Sequence, residues 1–425
     1  MVKKLLVFAF IFCFCTPIYA ETIKTDVLVI GDSPSGVSAA IQSARSKIKT
    51  MLIMPGAWMA NMPTGKNYSI TTNRNLPTGL WGEFREKVID FYKNTTGYEA
   101  AANVTLKFEA ATGATILKGI ADTVKNLTIK LNAPFTTIKK DGTGWEVSIA
   151  INGETNIIKA KVVIDATQSG EAVTKAGATL PPVYDYTAID GTEMYRTSIA
   201  TSDILPKDYI PMRDVVVKNA DNLLVTEKIL ITEGSIQYLP LQMALGQGAG
   251  AMAAYIAFFK TTTKNLKVRI IQQELLDFKS YLLPFADVKR DDRYVRAVQQ
   301  IGATGMLKGV NKGRELLFLP DAIVATDEVK PVLTEIYSRA FLWFNKVKPG
   351  DKFTVGNTLS LISEMTLSEP QTLQVALKSD WKAKYGFNND FDMDSPVTRL
   401  EFAVLINKYL NPFARTVDLA GNIIN

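Results

Sequence analysis

Asp26-Val27-Leu28-Val29-Ile30-Gly31-Asp32-Ser33-Pro34-Ser35-Gly36-Val37-Ser38-Ala39-Ala40 is the stretch on which the fold turns. An apolar run ends in a glycine-punctuated turn and continues into small residues, which reads as strand, tight loop and helix N-terminus. The unpaired backbone N–H groups and positive dipole of a helix start suit a pyrophosphate. Lys49-Thr50-Met51-Leu52-Ile53 is the next strand and completes a β-α-β unit. The spacing is that of a dinucleotide fingerprint, with two departures. Ser33 stands where the middle glycine falls, and Met54 follows the second strand where a ribose-binding acid is expected. A β-α-β turn of any α/β enzyme is the plainer reading of the same residues.

Outward from this unit, the N-terminus reads as a secretory leader. Lys3 and Lys4 form a basic start, Leu5–Cys15 an apolar core, and Ile18-Tyr19-Ala20 a cleavage site, so residues 1–20 are expected to be removed and the protein exported to the periplasm, cell surface or medium. Both cysteines, Cys13 and Cys15, fall in that leader, and the 425-residue chain has no histidine. The mature chain would then hold no disulfide, thiolate nucleophile, cysteine-ligated cluster or histidine metal site. Any proton transfer would fall to Asp, Glu, Lys, Tyr or a cofactor atom, and no general base can be named. Losing the two leader lysines takes the formal net charge from +6 to +4. The basic residues are dispersed, so no nucleic-acid partner is expected.

Further along, Leu76–Lys93 has helical spacing with Leu80, Phe84, Val88 and Phe91 on one face, and Phe108–Val124 reads as another helix. Thr128–Leu131, Phe135–Ile138, Trp145–Ile151 and Thr155–Ile158 are short strands parted by turns such as Asp141-Gly142 and Asn152-Gly153, a β-meander inserted in an α/β domain. Val162-Val163-Ile164-Asp165 is a buried strand ending on an acid that could cap the helix after it. Asn222–Val225 is a further strand. A Pro240-started helix then runs through Gly246 and Gly250 to Phe259 with a face of small residues. Gly246-x-x-x-Gly250 would suit a membrane helix, but Pro240, Gln237, Gln242 and Gln247 argue against one, and no span is expected after leader removal.

Together the blocks from about Thr25 to Leu276 resemble the FAD-dependent oxidoreductases of the glutathione-reductase-like superfamily, secreted bacterial flavoproteins among them. The blocks that carry the resemblance are Asp26–Ala40, Val162–Gly177, Tyr195–Ala200, Ile210–Arg213, Asn222–Val225 and, most specifically, Met243-Ala244-Leu245-Gly246-Gln247-Gly248-Ala249-Gly250. The resemblance implies FAD as cofactor, with Gly31, Ser33, Pro34, Ser35 and Gly36 at the pyrophosphate, Asp165 and Gly170 near the cofactor, and Gly246, Gln247 and Gly250 along the flavin side. The family also carries a Gly-Gly step where this chain has Ala60-Asn61, Ala-Gly-Arg where it has Thr226-Glu227-Lys228, and Arg where it has Gln237. The substrate part is shortened to about residues 180–221. Met54 in place of the acid predicts weak FAD binding.

Residues from about Phe285 onward differ. Aligning Thr326 with Thr398 also aligns Val332-Leu333 with Val404-Leu405 and Tyr337 with Tyr409, an internal repeat. With Thr398-Arg399-Leu400-Glu401 the segment resembles S-layer homology modules, which implies a cell-envelope glycan partner; a plain helical packing unit fits the pattern equally. The expected organisation is therefore a leader (1–20), an α/β Rossmann-like FAD domain (21–276) with inserted meander and reduced substrate part, and a helical repeat unit (285–425). The expected function is flavin-mediated hydride transfer on a small organic or carbohydrate-derived substrate. The alternative is an inactive flavoprotein fold acting as an envelope- or glycan-binding protein.

Overall fold

A computed structural model describes residues 22–59, 67–71, 78–98, 105–183, 193–202, 209–230, 235–313 and 315–424. The leader and the Ala60-Asn61 step lie outside the described residues.

β1 (Thr22–Ile30) leads into α1 (Pro34–Arg45) and β2 (Thr50–Ile53), and β2 lies parallel to β1. Val27-Leu28-Val29-Ile30 is buried throughout, as expected of a strand with parallel neighbours on both sides and helices over the faces. β3 (Asn67–Thr71) and β4 (Thr105–Glu109) form a separate antiparallel ribbon. Between them lies α2 (Gly79–Tyr92), and after them α3 (Ala110–Asp122) leads to β5 (Leu127–Lys130). β6 (Phe135–Asp141), β7 (Gly144–Ile151) and β8 (Glu154–Asp165) follow as an antiparallel meander. The short α4 (Glu171–Lys175) comes next, then the antiparallel pair β9 (Ser198–Ala200) and β10 (Ile210–Pro211), and β11 (Leu223–Val225). α5 (Leu239–Phe259) and α6 (Val268–Asp277) complete this half.

Among the described residues the main sheet runs β5-β2-β1-β8-β7-β6, with β11 also on β8. One long strand serves two systems. The first half of β8 pairs antiparallel with β7, and its second half lies parallel to β1 and β11. The architecture is the expected α/β class with a parallel-rich sheet and an inserted meander. Several local expectations change, among them Phe108 and Glu109, which end β4 instead of opening a helix. Leu127–Lys130 belongs to the parallel sheet, registered on Thr50–Ile53, and not to the meander. Thr155–Ile158 and Val162–Asp165 are parts of one strand. In α2, Leu80, Phe84 and Val88 are buried, but Phe91 is 63% exposed near the helix end.

The small residues of α5 let it lie directly on α1. A Cβ at Gly246 would come 2.0 Å from the Ser35 carbonyl oxygen, and one at Gly250 2.5 Å from that of Ala39. Ser43 Oγ donates to the Gly250 carbonyl at 3.0 Å. This crossing, with the α1 face of the sheet, forms the centre of the first core. No helix among the described residues is long and apolar enough to cross a membrane.

A second core lies among α7 (Val295–Thr304), the ribbon of β12 (Val310–Lys312) and β13 (Glu315–Leu317), and five further helices. These are α8 (Thr326–Ile336), α9 (Ser338–Val347), α10 (Val355–Thr366), α11 (Pro370–Ala383) and α12 (Arg399–Tyr409). Three extended residues preceding α8, α10 and α12 meet in a ring. Val324 N donates to Val397 O (3.0 Å), Val397 N to Phe353 O (2.8 Å) and Phe353 N to Val324 O (2.9 Å). The repeat therefore has three members, the third centred on Phe353. Its register is one residue from the sequence alignment, because Ala325, Thr354 and Thr398 are the equivalent N-caps. Val332, Leu361 and Leu405 then superpose, as do Leu333, Ile362 and Ile406, and all six are buried. Thr326 drew the alignment because it is the nearest hydroxyl to an N-cap occupied by alanine.

The two cores interlock. Arg196, fully buried, reaches from the first half to the Thr304 carbonyl (3.0 Å), the Gly421 carbonyl (3.2 Å) and both carboxylate oxygens of Glu335. Phe413 and Val417, which follow α12, are buried in the first core.

Candidate functional site

Rossmann-type sheets bind ligands at the carboxyl ends of their parallel strands. Here that edge gathers the β1–α1 turn, Met54 after β2, Asp165 at the end of β8 and Thr226-Glu227 after β11. Gly31 has φ +132°, and a Cβ there would lie 2.5 Å from the Ala166 carbonyl oxygen, so glycine is required for the two strand ends to meet. At Gly36 a Cβ would lie 2.9 Å from the Ala166 Cβ. Both glycines thus serve the approach of the segment after β8.

The first turn of α1 can be accounted for donor by donor. Ser33 is the N-cap, and its Oγ accepts from Gly36 N (3.1 Å) while donating to the Ala166 carbonyl (2.9 Å). Pro34 has no N–H. Ser35 N donates to Glu227 Oε1 at 3.4 Å, and Val37 N to the Ser33 carbonyl at 3.0 Å. Glu227 Oε2 accepts from Gln242 Nε2 at 2.9 Å, and the hydroxyls of Ser35 and Thr226 lie 2.7 Å apart. Every N–H of that turn is engaged by the chain's own oxygen atoms. Glu227 is buried, and desolvation drives its pKa above the usual glutamate range, offset in part by the bonds from Gln242, Ser35 and Ser33.

Asp165 is fully buried at the end of β8. Its Oδ1 accepts from Thr167 N (3.0 Å) and Thr167 Oγ1 (2.7 Å), and its Oδ2 from Val173 N (2.8 Å). It therefore holds the turn into α4, the capping role open to it in the sequence. Burial raises its pKa, and the same hydrogen bonds act against that rise. Gly170 is the N-cap of α4 at φ +69°, with the Lys228 stem 3.1 Å from where its Cβ would be. Gln247 Oε1 accepts from Leu80 N (3.0 Å), and its Nε2 donates to Gln42 Oε1 (2.9 Å), so it ties α5 to α1 and α2. Gly31, Ser33, Pro34, Ser35, Gly36, Asp165 and Gly170 thus share one edge. Gly246, Gln247 and Gly250 face α1 and α2 within the core. Glu227 was visible in the sequence as a departure from Ala-Gly-Arg, but nothing local pointed to its partner, which lies 192 residues away.

In the C-terminal half, Arg399 and Glu401 are also engaged internally. Arg399 pairs with Glu328 and donates to the carbonyls of Phe318 and Lys308 (each 2.6 Å), and Glu401 closes a capping box with Thr398. Among the described residues no group of acids could hold a metal ion.

The parallel sheet, the β-α-β turn and the ligand edge define a dinucleotide-type α/β domain. Residues 26–181 match the family described as FAD dependent oxidoreductase, and FAD is the cofactor to which that match points. No curated protein matches the chain. Among solved structures, the bacillithiol disulfide reductase Bdr (YpdA) of Staphylococcus aureus is 16% identical, with 34% of this chain on 38% of that one and a TM-score of 0.24. The rebeccamycin biosynthetic enzyme RebC with reduced flavin is 14% identical (39% on 36%, TM-score 0.29). The p-nitrophenol 4-monooxygenase PnpA of Pseudomonas putida DLL-E4 is likewise 14% identical (38% on 44%, TM-score 0.27). This chain thus spans less than half the length of each.

Against the chemistry of FAD, the residues at this edge do not fit as they stand. A pyrophosphate needs free N–H donors at the start of α1, and that first turn has none to give. A ribose needs an acceptor after β2, where Met54 is fully buried in apolar surroundings, its backbone bonded to Lys130 and Ala133.

Proposed function

We propose that this chain is an exported flavin oxidoreductase acting on a small organic or carbohydrate-derived substrate, with hydride transfer as its reaction class and a C-terminal unit that contacts cell-envelope glycan. The observation that carries it is that the matched segment includes β1-α1-β2 and β8, three of whose strand ends converge with that of β11 on one edge. Export rests on the leader pattern of residues 1–20, and the glycan contact on the repeat around α8, α10 and α12. A flavin held at this edge would supply a two-electron acceptor, with position and electrostatics left to the protein. The test is the visible spectrum of the purified mature protein, alone and with added FAD. Flavin absorbance that stays with the protein and bleaches under a reductant supports the reading; its absence from a folded protein at high FAD removes it.

A second reading has a specific observation in its favour. With the first turn of α1 closed by Ser33, Pro34 and Glu227, the domain would serve as a non-catalytic scaffold and the envelope contact would be the function. Retention of the flavin-free protein on cell-wall polysaccharide supports that reading, and its passage through the same column counts against it.

A further inference from the structure

Glu227 reaches α1 from another element, the single turn Glu227–Ile229 after β11. That turn is held in place independently: Thr226 N donates to the Asp165 carbonyl at 3.0 Å. The carboxylate thus arrives at the helix start on a fixed backbone, between Ser35 of α1 and Gln242 in the first turn of α5. A pyrophosphate offers a helix start two things, negative charge and acceptor oxygens. Glu227 offers both, in a buried position that would otherwise hold unpaired donors, which are costly to leave unmade.

We infer that Glu227 is a built-in substitute for the pyrophosphate of the cofactor, so that the domain closes on its own acid and FAD enters only as that carboxylate leaves. The inference rests on the flavin reading of the domain and adds a competition to it. Ser33 and Pro34 serve the same end. Ser33 takes the Gly36 N–H that a glycine would have left to a ligand, and Pro34 removes a donor altogether. The contact also joins the starts of α1 and α5 through Gln242, so the closed form needs no cofactor to hold these helix ends together. Competition lowers apparent affinity by the fraction of molecules with an open seat. If about one molecule in a hundred is open, FAD binds about a hundredfold more weakly than to the open form.

The experiment titrates FAD into the mature chain while flavin fluorescence is followed, for wild type, Glu227→Gly and Glu227→Gln, each checked for folding by circular dichroism. Glycine is the residue of the resembled family at this position; glutamine keeps the shape and removes the charge. Glu227→Gly should tighten FAD about tenfold or more, with Glu227→Gln between it and wild type. Without FAD, Glu227→Gly should melt below wild type, and added FAD should raise its midpoint more than that of wild type. If Glu227→Gly fails to fold, the glutamine variant alone decides. Tight FAD binding by wild type with no gain in a folded variant overturns the substitution and leaves the flavin reading standing. No binding by any folded variant overturns both.

Discussion

A glutamate closes the starts of α1, α11 and α12, and at α1 and α12 it does so in opposite ways. At α12, Thr398 Oγ1 accepts from Glu401 N (3.2 Å) and Glu401 Oε2 accepts from Thr398 N (2.9 Å). The acid and its partner are three residues apart, so closure forms with the helix itself. At α1, the acid follows β11, 192 residues along the chain, and meets the helix start only where β1, β8 and β11 have paired side by side. A local cap serves the helix. A remote acid at a position shaped for a ligand serves the whole domain, and a competitor can displace it without unwinding α1. The same residue type therefore has two roles, set by how far its carboxylate has travelled along the chain.

The largest effect expected around the α1 mouth comes from Met54→Glu. Restoring an acid after β2 would place an unpaired carboxylate where the native side chain is fully buried among apolar neighbours. We expect a loss of about 3–5 kcal/mol in chemical denaturation, the usual range for an uncompensated buried charge. A folded variant with unchanged stability would show that this side of the mouth is open to water. It would also reopen Met54 as the position that limits FAD.

The next effect concerns pH. Burial raises the pKa of Glu227 against the bonds from Gln242, Ser35 and Ser33, so the carboxylate that closes α1 ionises at a cost and protonating it adds stability to the fold. That contribution is complete below the unfolded glutamate value of about 4.3 and is lost as pH rises through the raised folded value. Asp165 carries the same sign. Glu227→Gln should therefore flatten the fall in stability above about pH 4.3, by at most about 1.4 kcal/mol per pH unit for the one proton removed. Identical urea midpoints for both proteins across that range would show that the carboxylate is solvated and is no substitute for a ligand.

The smallest effect is at the local cap. Thr398→Ala should cost about 1 kcal/mol, shift the thermal midpoint by a few degrees and leave FAD titration unchanged. A change in FAD affinity on Thr398→Ala would break the distinction between the two helix starts.

What was legible in the sequence follows the same division. The β-α-β unit could be read because strand, turn and helix are contiguous and Val27–Ile30 has the unbroken apolarity of a buried parallel strand. The repeat could be read because Thr398 and Glu401 signal a helix start within four residues. Its third member was hidden, since the equivalence of Val324, Phe353 and Val397 is one of backbone bonding and not of side-chain type. The strand expected at Thr128–Leu131 joins β2 instead of the meander, because a short apolar strand carries no record of which edge it joins. At the candidate site the loop residues were legible and Glu227 was legible only as an oddity. The small-residue face of α5 predicted a close approach, but a glycine that must meet a ligand and one that must meet a backbone look alike in sequence. Gly246 and Gly250 meet Ser35 and Ala39.

The return of Phe413 and Val417 into the first core sets an order of events in biogenesis. A domain whose sheet is complete by β11 could in principle fold while the remainder of the chain is still being made. Here its apolar interior is sealed by residues that follow α12, and Arg196 waits buried for Thr304 and Glu335. The early half is therefore expected to reach its full stability only once synthesis has passed α12. Were the chain exported as proposed from its leader pattern, the late arrival of these two apolar side chains would hold off compaction before translocation.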